Sequence, residues 1–473
     1  MHQKKKYNSR MTKTYQTKEQ VLEKAKMILR KSLRRVIPNE AIMAIETQIG
    51  VYGMRRKGLL GDLMEKYYFE ISPGNSSEPD FKIAEVELKT TPLKKHSKKR
   101  FSSKERLVFS MINYDTIINE TWLLSSFLKK NKSLLLMFYL WFENQSILDY
   151  EFKFVHLLDL LKDMSAEDAF QIQKDWEYIV AKIKRGEAHL LSEGDTYYLG
   201  ACTKAADSSV VRDQPLSRIP AKPRAFSFKQ QYINYLIQTK LLGEKTSANS
   251  IFKKQRRLET IEDTIKERFS QFIGKTDREI LTQLNSTLSN KSKSYKRLLV
   301  NRILDVYSND IVELKKSNIT LKVITLEPSG SLKESISFPA FDYKDLVIQD
   351  WYNEQKATMS DFHFQLETKK FLFVIFQKQK NTSDVILKKT MFWNFPMKDI
   401  GKVERVWKKT VDCIKAGKYA ELPKISESSV AHVRPHGRNS KDTIETPQKT
   451  FEMKRSFWLN AKYIQQAIED AKN

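Results

Sequence analysis

Asp80, Glu87 and Lys89 close the run Glu78-Pro79-Asp80-Phe81-Lys82-Ile83-Ala84-Glu85-Val86-Glu87-Leu88-Lys89. On a strand, alternate side chains share a face, so Glu87 and Lys89 point the same way and Glu85 lies further along that face. Asp80 enters from the preceding turn. Two carboxylates so placed can hold Mg2+, which takes oxygen ligands. An adjacent ammonium can orient or deprotonate an attacking water and offset the charge that develops on phosphorus. The set therefore suits metal-assisted phosphodiester hydrolysis. Alone, alternating Glu and Lys also describe an ordinary solvated sheet face, so the rest of the chain has to decide.

The elements that must position this set are readable in outline. An amphipathic helix follows Lys18, with Val21, Ala25, Ile28 and Leu29 on one face. A second helix runs from Leu59 to about Phe69. Strands are expected over Ala84 to Thr90, Leu107 to Ile112 and Leu134 to Trp141. The apolar run from Leu134 to Phe142 is too short to span a bilayer and fits a buried central strand. A helix over Glu167 to Lys184 comes next. Then a hairpin is expected to pair His189 to Leu191 with Tyr197 to Leu199 around Glu193-Gly194-Asp195. A last helix covers Phe228 to Thr239. The fold class is mixed α and β.

The chain also repeats itself. Trp176 with Trp407, Ile183 with Ile414, Lys184 with Lys415 and Gly186 with Gly417 share one offset. So do Arg224 with Arg455, Phe226 with Phe457 and Tyr232 with Tyr463. Asn131-Lys132-Ser133 before LLLMFY matches Thr368-Lys369-Lys370 before FLFVIF, and Glu87-Leu88-Lys89 matches Thr320-Leu321-Lys322. Ordered matches of this kind mark a duplicated unit. The expected division is a basic tail over 1–17, a first copy over 18–245, a linker over 246–255 and a second copy over 256–473.

Composition agrees with a polyanionic partner. The 473 residues include 83 Lys plus Arg against 57 Asp plus Glu, a formal net charge of +26. Neutralising phosphates releases counterions, so nucleic acid is the leading partner. No long basic helix with an aromatic face points to a membrane surface. An apolar share of 40% can fill real cores, which excludes a disordered basic tail. Two cysteines, Cys202 and Cys413, cannot make a zinc site alone and imply a reducing compartment. The N-terminal stretch has no apolar core of a secretory signal, so a soluble cytoplasmic protein is expected.

The proline-aspartate, then acid-x-lysine order is shared by many nucleases, and the surrounding motifs narrow it. Lys57-Gly58-Leu59-Leu60-Gly61-Asp62-Leu63-Met64-Glu65, then Asp80, then Glu87-Leu88-Lys89-Thr90, resembles the MutH family of mismatch-repair endonucleases. The resemblance runs on through Lys132, the Trp176 helix, Lys204-Ala205-Ala206-Asp207 and Arg224 to Phe228. The doubled architecture is similar to the Sau-type GATC restriction endonucleases, which join a MutH-like catalytic half to a degenerate MutH-like half. This resemblance implies a restriction-endonuclease-like core present twice, double-stranded DNA as partner, Mg2+ as cofactor and a place beside the bacterial nucleoid. It implies that Asp80 and Glu87 are metal ligands, Lys89 the catalytic lysine, Glu65 a further acid that arranges metal or water, and Lys132 a further active-site lysine. It places DNA reading in the first copy on Lys204, Asp207, Arg224, Ser227 and Lys229.

In the second copy Glu87 becomes Thr320 while Lys89 is kept as Lys322. Glu313 falls near the Asp80 position and Asn301 near that of Glu65. A threonine supplies no anionic ligand, so the second copy should not cut. Arg434, His436, Arg438 and Arg455 remain where the reading loops are expected. The expected function is a type II restriction endonuclease cutting at GATC, its second half binding another site as an effector in the type IIE manner, as a monomer or a DNA-induced dimer. A methyl-directed nicking repair endonuclease and a non-catalytic DNA-binding regulator are the alternatives.

Overall fold

The computed structural model describes residues 13–52, 58–74, 77–96, 100–204, 210–244, 249–252, 257–289, 292, 294–353 and 358–471. Asp207 and Lys57 lie outside the described residues, as does most of the expected linker.

Among the described residues, the first half contributes nine strands. They are β1 (Glu87–Lys95), β2 (Phe101–Ser103), β3 (Leu107–Met111), β4 (Ser133–Leu140), β5 (Phe152–Asp159), β6 (Leu199–Thr203), β7 (Arg212–Gln214), β8 (Ser217–Ala221) and β9 (Arg224–Phe228). One sheet has the order β2-β1-β4-β5 and a second the order β3-β9-β6, while β7 and β8 form a separate hairpin. The apolar run predicted as a central strand is β4, buried at seven of its eight residues. It lies parallel to β1 and antiparallel to β5. A strand covered on both faces reads as a continuous apolar run, which is why it was legible.

The second half repeats the plan. Its strands are β10 (Ile319–Leu326), β11 (Ile336–Ala340), β12 (Tyr352–Asn353), β13 (Thr358–Met359), β14 (Lys370–Lys378), β15 (Val385–Asn394), β16 (Ala431–Pro435), β17 (Thr443–Glu445), β18 (Phe451–Met453) and β19 (Arg455–Leu459). The sheets run β10-β14-β15 and β11-β19-β16, and β17 and β18 form a hairpin in the place of β7 and β8. Side chains echo the backbone. Trp122 and Trp176 lie 5.8 Å apart at 55°, and Trp351 and Trp407 lie 5.7 Å apart at 53°. Tyr114 donates to the Lys222 carbonyl at 2.6 Å, and Tyr343 to that of Met453 at 2.7 Å. Gly186 and Gly417 follow the two tryptophan helices, Ala166–Lys184 and Ile400–Lys415, with φ of 71° and 70°. A helix ends readily on a left-handed glycine, so both copies stop at the same place.

Two expectations fail on local grounds. The strand expected from Ala84 starts at Glu87, because Phe81 and Val86 exchange backbone hydrogen bonds and close a tight turn. Glu85 has φ 53° in that turn and faces solvent, so it leaves the face shared by Glu87 and Lys89. The expected hairpin at His189 to Leu199 is two single 3-10 turns, Ala188–Leu190 and Glu193–Asp195. Ser192 and Asp195 form a reciprocal cap there. The Asp175 carboxylate takes the backbone N–H groups of Tyr197, Tyr198 and Leu199 at 3.0, 2.6 and 2.9 Å, and the strand ladder begins only at Leu199.

Each half keeps an apolar cluster of its own, and a third cluster is shared between them. The shared cluster includes Leu134, Trp176 and Tyr232 from the first half with Ile265, Phe269 and Leu372 from the second. Each such side chain contributes about 1.5–3 kcal/mol by burial. The turn holding Gly194 wedges into the second half: a Cβ there would sit 3.1 Å from Asn394 Cβ and 3.2 Å from the Glu367 carbonyl oxygen. No described helix is long and apolar enough to cross a membrane.

Candidate active site

The tight turn before β1 brings Asp80 alongside Glu87. The Asp80 backbone N–H donates to Glu87 Oε2 at 3.2 Å, and the Leu88 N–H donates to Asp80 Oδ2 at 2.9 Å. Glu87 is 2% exposed, and Lys89 Nζ meets its Oε1 at 2.7 Å. Glu65 stands in the turn Met64–Phe69 that continues the helix Leu59–Leu63, and it is buried. Burial together with repulsion from Asp80, Asp62 and Glu87 raises its carboxyl to about 8. Asp80 is raised to about 7, first by burial and then by Glu87. The structure thus gathers Glu65, Asp80, Glu87 and Lys89 into one half-buried pocket.

Crowded, partly desolvated acids of this kind favour a bound cation. The donors fit a hard divalent ion: Asp80 and Glu87 supply oxygens, and Mg2+ commonly takes one or two carboxylates and fills its shell with water and phosphate oxygens. Among the described residues, no cluster of three or more His, Cys, Asp or Glu forms a cage made by the protein alone.

Among the described residues, Lys132 makes no contact with this group. It is exposed and follows the helix Ser126–Asn131, its N–H bonded to the Leu128 carbonyl. Lys130 meets the acids instead, with Nζ 3.6 Å from Glu87 Oε1 and a side chain 13% exposed. The two residues lie on either side of a helix end, where a shift of two positions turns a side chain through about 200°. Placing that helix end in the sequence would have singled out Lys130.

The expected reading residues divide sharply. Arg224 is 3% exposed and donates through Nη1 to the Ala201 carbonyl at 2.7 Å and to Glu367 Oε1 at 3.2 Å. Ser227 is fully buried, its hydroxyl without a hydrogen-bond partner among the described residues. Lys229 is 1% exposed, with Nζ 2.6 Å from the Thr196 carbonyl and 3.3 Å from that of Ser317. Burial and the charge of Lys370 lower its ammonium to about 8. These three sit on or just after β9, the central strand of its sheet, and pack inside the molecule and against the second half. They cannot contact DNA in this conformation.

Lys204 is exposed at the end of β6. In the second half Arg434, His436 and Arg438 are exposed at and beyond the end of β16. Arg434 lies 4.8 Å from the Trp458 ring, and His436 Nδ1 is 3.0 Å from Ser456 Oγ. Arg455 is half-buried beside Tyr343, its Nε without a partner. Arg212 and Arg218 on the β7–β8 hairpin were not anticipated, and both are exposed. Gln214 anchors that hairpin, donating to the Ile219 carbonyl at 2.6 Å and accepting the Ala188 N–H at 2.7 Å. The signal available in the sequence was the pair of arginines around Gln214-Pro215-Leu216-Ser217.

A family model described as the DNA mismatch repair enzyme MutH matches residues 69–175, the stretch that holds Asp80, Glu87, Lys89 and Lys130. The chain is also 31% identical to the type II restriction enzyme Sau3AI of Staphylococcus aureus, over 97% of this chain and 99% of that one.

Proposed function

The chain belongs to the MutH-like type II restriction endonucleases, and on that premise we propose that it cuts double-stranded DNA at GATC with Mg2+, its second half binding a further GATC as an effector. A restriction endonuclease acts on double-stranded DNA, and the excess of 26 positive charges favours that partner. The observation that carries the reading is one register seen twice. Glu87 pairs with Leu134 across β1 and β4, and Thr320 pairs with Phe371 across β10 and β14. The acid is present in one half and replaced by a hydroxyl in the other.

In this reading Asp80 and Glu87 hold the divalent ion, which would supply an activated water and a Lewis acid at the phosphate. Glu65 orders the water around those carboxylates. Lys89 and Lys130, both held against Glu87, hold the attacking water in line and offset charge on the phosphate oxygens. Lys204 and the β7–β8 hairpin read bases in the first half, since the major groove admits a two-stranded ribbon. Arg434, His436 and Arg438 with the β17–β18 hairpin read them in the second. The catalytic half is assigned to residues 18–245 and the effector half to 256–473, with 246–255 between them. The site of action is the bacterial cytoplasm, and the enzyme works as a monomer or as a dimer formed on DNA.

Incubation with Mg2+ and methylated or unmethylated GATC plasmid tests this. Double-strand cuts support restriction. Nicks alone point to a repair endonuclease, and no cleavage points to a DNA-binding regulator.

A further inference from the structure

The second half keeps two lysines where its acids have gone. Lys322 pairs with Phe373 across β10 and β14, the register that Lys89 takes with Leu136 across β1 and β4. Lys369 precedes β14 at the end of the helix Asp361–Thr368, its Nζ 5.8 Å from the Phe338 ring. Both side chains are partly buried. The two stand on adjoining strands, Lys322 within β10 and Lys369 just before β14; burial lowers both ammonium groups, and the charge of Lys322 lowers Lys369 further.

Among the described residues, nothing acidic offsets them. Thr320 stands in the register of Glu87. Asn301, matched to Glu65, donates to Asn309 Oδ1 at 2.9 Å. Glu313, matched to Asp80, accepts from Ser250 Oγ at 2.6 Å and the Ile251 N–H at 3.0 Å. Glu367 occupies the position of Lys130, but its Oε1 takes Arg224 and the Thr203 hydroxyl at 3.0 Å. Among the described residues, Lys322 and Lys369 have no ion pair, and the Lys369 ammonium donates to Gln365 Oε1 at 3.4 Å. Two like charges held together away from water cost stability unless an anion joins them.

We propose that the degenerate site of the second half is a metal-free phosphodiester site, in which Lys322 and Lys369 grip a backbone phosphate of duplex DNA and Thr320 offers a hydroxyl in place of a metal ligand. The first half has carboxylates at the same place and needs a metal to bring phosphate to them. The second half has exchanged that arrangement for direct cationic contact. This rests on the reading that the second half binds DNA.

The test uses the full chain carrying Glu87→Gln, which prevents cutting, in EDTA, titrated calorimetrically with a short GATC duplex. The parent should bind two duplexes. Lys322→Gln with Lys369→Gln should weaken the second binding event and lower its log K against log salt slope by about 2, one for each lysine lost from phosphate. Lys322→Arg with Lys369→Arg should retain both the affinity and the slope. Without DNA, either glutamine variant should melt higher than the parent because the repulsion is gone. Should the double variant fold poorly, the two single variants carry the same comparison. One duplex bound by the parent would overturn the effector reading itself. Two duplexes with unchanged affinity and slope in the glutamine variants would overturn the lysine site and leave the effector reading standing. Inorganic phosphate bound at these lysines with no effect on duplex binding would also overturn it, as a site for a free anion.

Discussion

Arg224 and Glu367 form a buried ion pair between the two halves of the chain, Nη1 to Oε1 3.2 Å, with side chains 4% and 2% exposed. Glu367 stands where the first half has Lys130, so this one position of the second half anchors the last strand of the first. Lys316 to Asp168 at 2.6 Å and Lys370 to the Asp195 carbonyl at 2.7 Å reinforce the same junction.

Arg224→Ala should therefore act on stability before recognition. Removing one partner leaves Glu367 buried and uncompensated, a loss of about 3–5 kcal/mol. Arg224→Met with Glu367→Leu should recover much of it, because a buried pair replaced by apolar groups is often neutral. Urea unfolding of the three variants checks this. A normal midpoint with lost sequence preference in Arg224→Ala would return this residue to the DNA surface.

Asp80→Ala, Glu87→Ala or Lys89→Ala should abolish cleavage while DNA binding in Ca2+ stays near that of the parent, since these groups serve metal and water. Gel-shift and plasmid assays on the same preparations separate the two effects. Normal cutting by any one variant would remove that residue from the site.

Lys130→Ala should lower the rate of the cutting step about 10²–10³-fold, the usual effect of losing one electrostatic contact in a water-poor site. Lys132→Ala should change it little. Single-turnover rates in Mg2+ give the comparison, and the reverse order would restore Lys132.

These assignments show what could be read in the sequence and what could not. The Asp80, Glu87 and Lys89 set was legible because its spacing is local and β4 announces itself as an apolar run. Thr320 was legible because both copies count from the same strand. The contact of Lys130 with Glu87 was not legible because its direction depends on where a six-residue helix stops. The burial of Arg224 and Lys229 was not legible because their partners, Glu367 and the Ser317 carbonyl among them, lie far away in the chain. Hydroxyl and cationic side chains near a DNA-binding loop look alike in sequence whether they face a groove or a buried junction.

Lys204→Ala should reduce binding to GATC duplex more than to random duplex, by about 1–3 kcal/mol for a true base contact. Competition binding at one salt concentration checks it. Equal losses on both DNAs would make Lys204 a phosphate contact.

The central claim is one cutting half governed by a second, non-cutting half, and matched plasmids with one or two GATC sites test it most directly. At fixed salt, because salt alone shifts affinity steeply, the two-site plasmid should be cut faster in Mg2+, and a short GATC duplex should rescue the one-site plasmid. Arg434→Ala with Arg438→Ala should remove the rescue. Coupling between two sites of this kind is typically about 1–3 kcal/mol. Equal rates on both plasmids, with no response to added duplex, would contradict the account and leave the second half a scaffold.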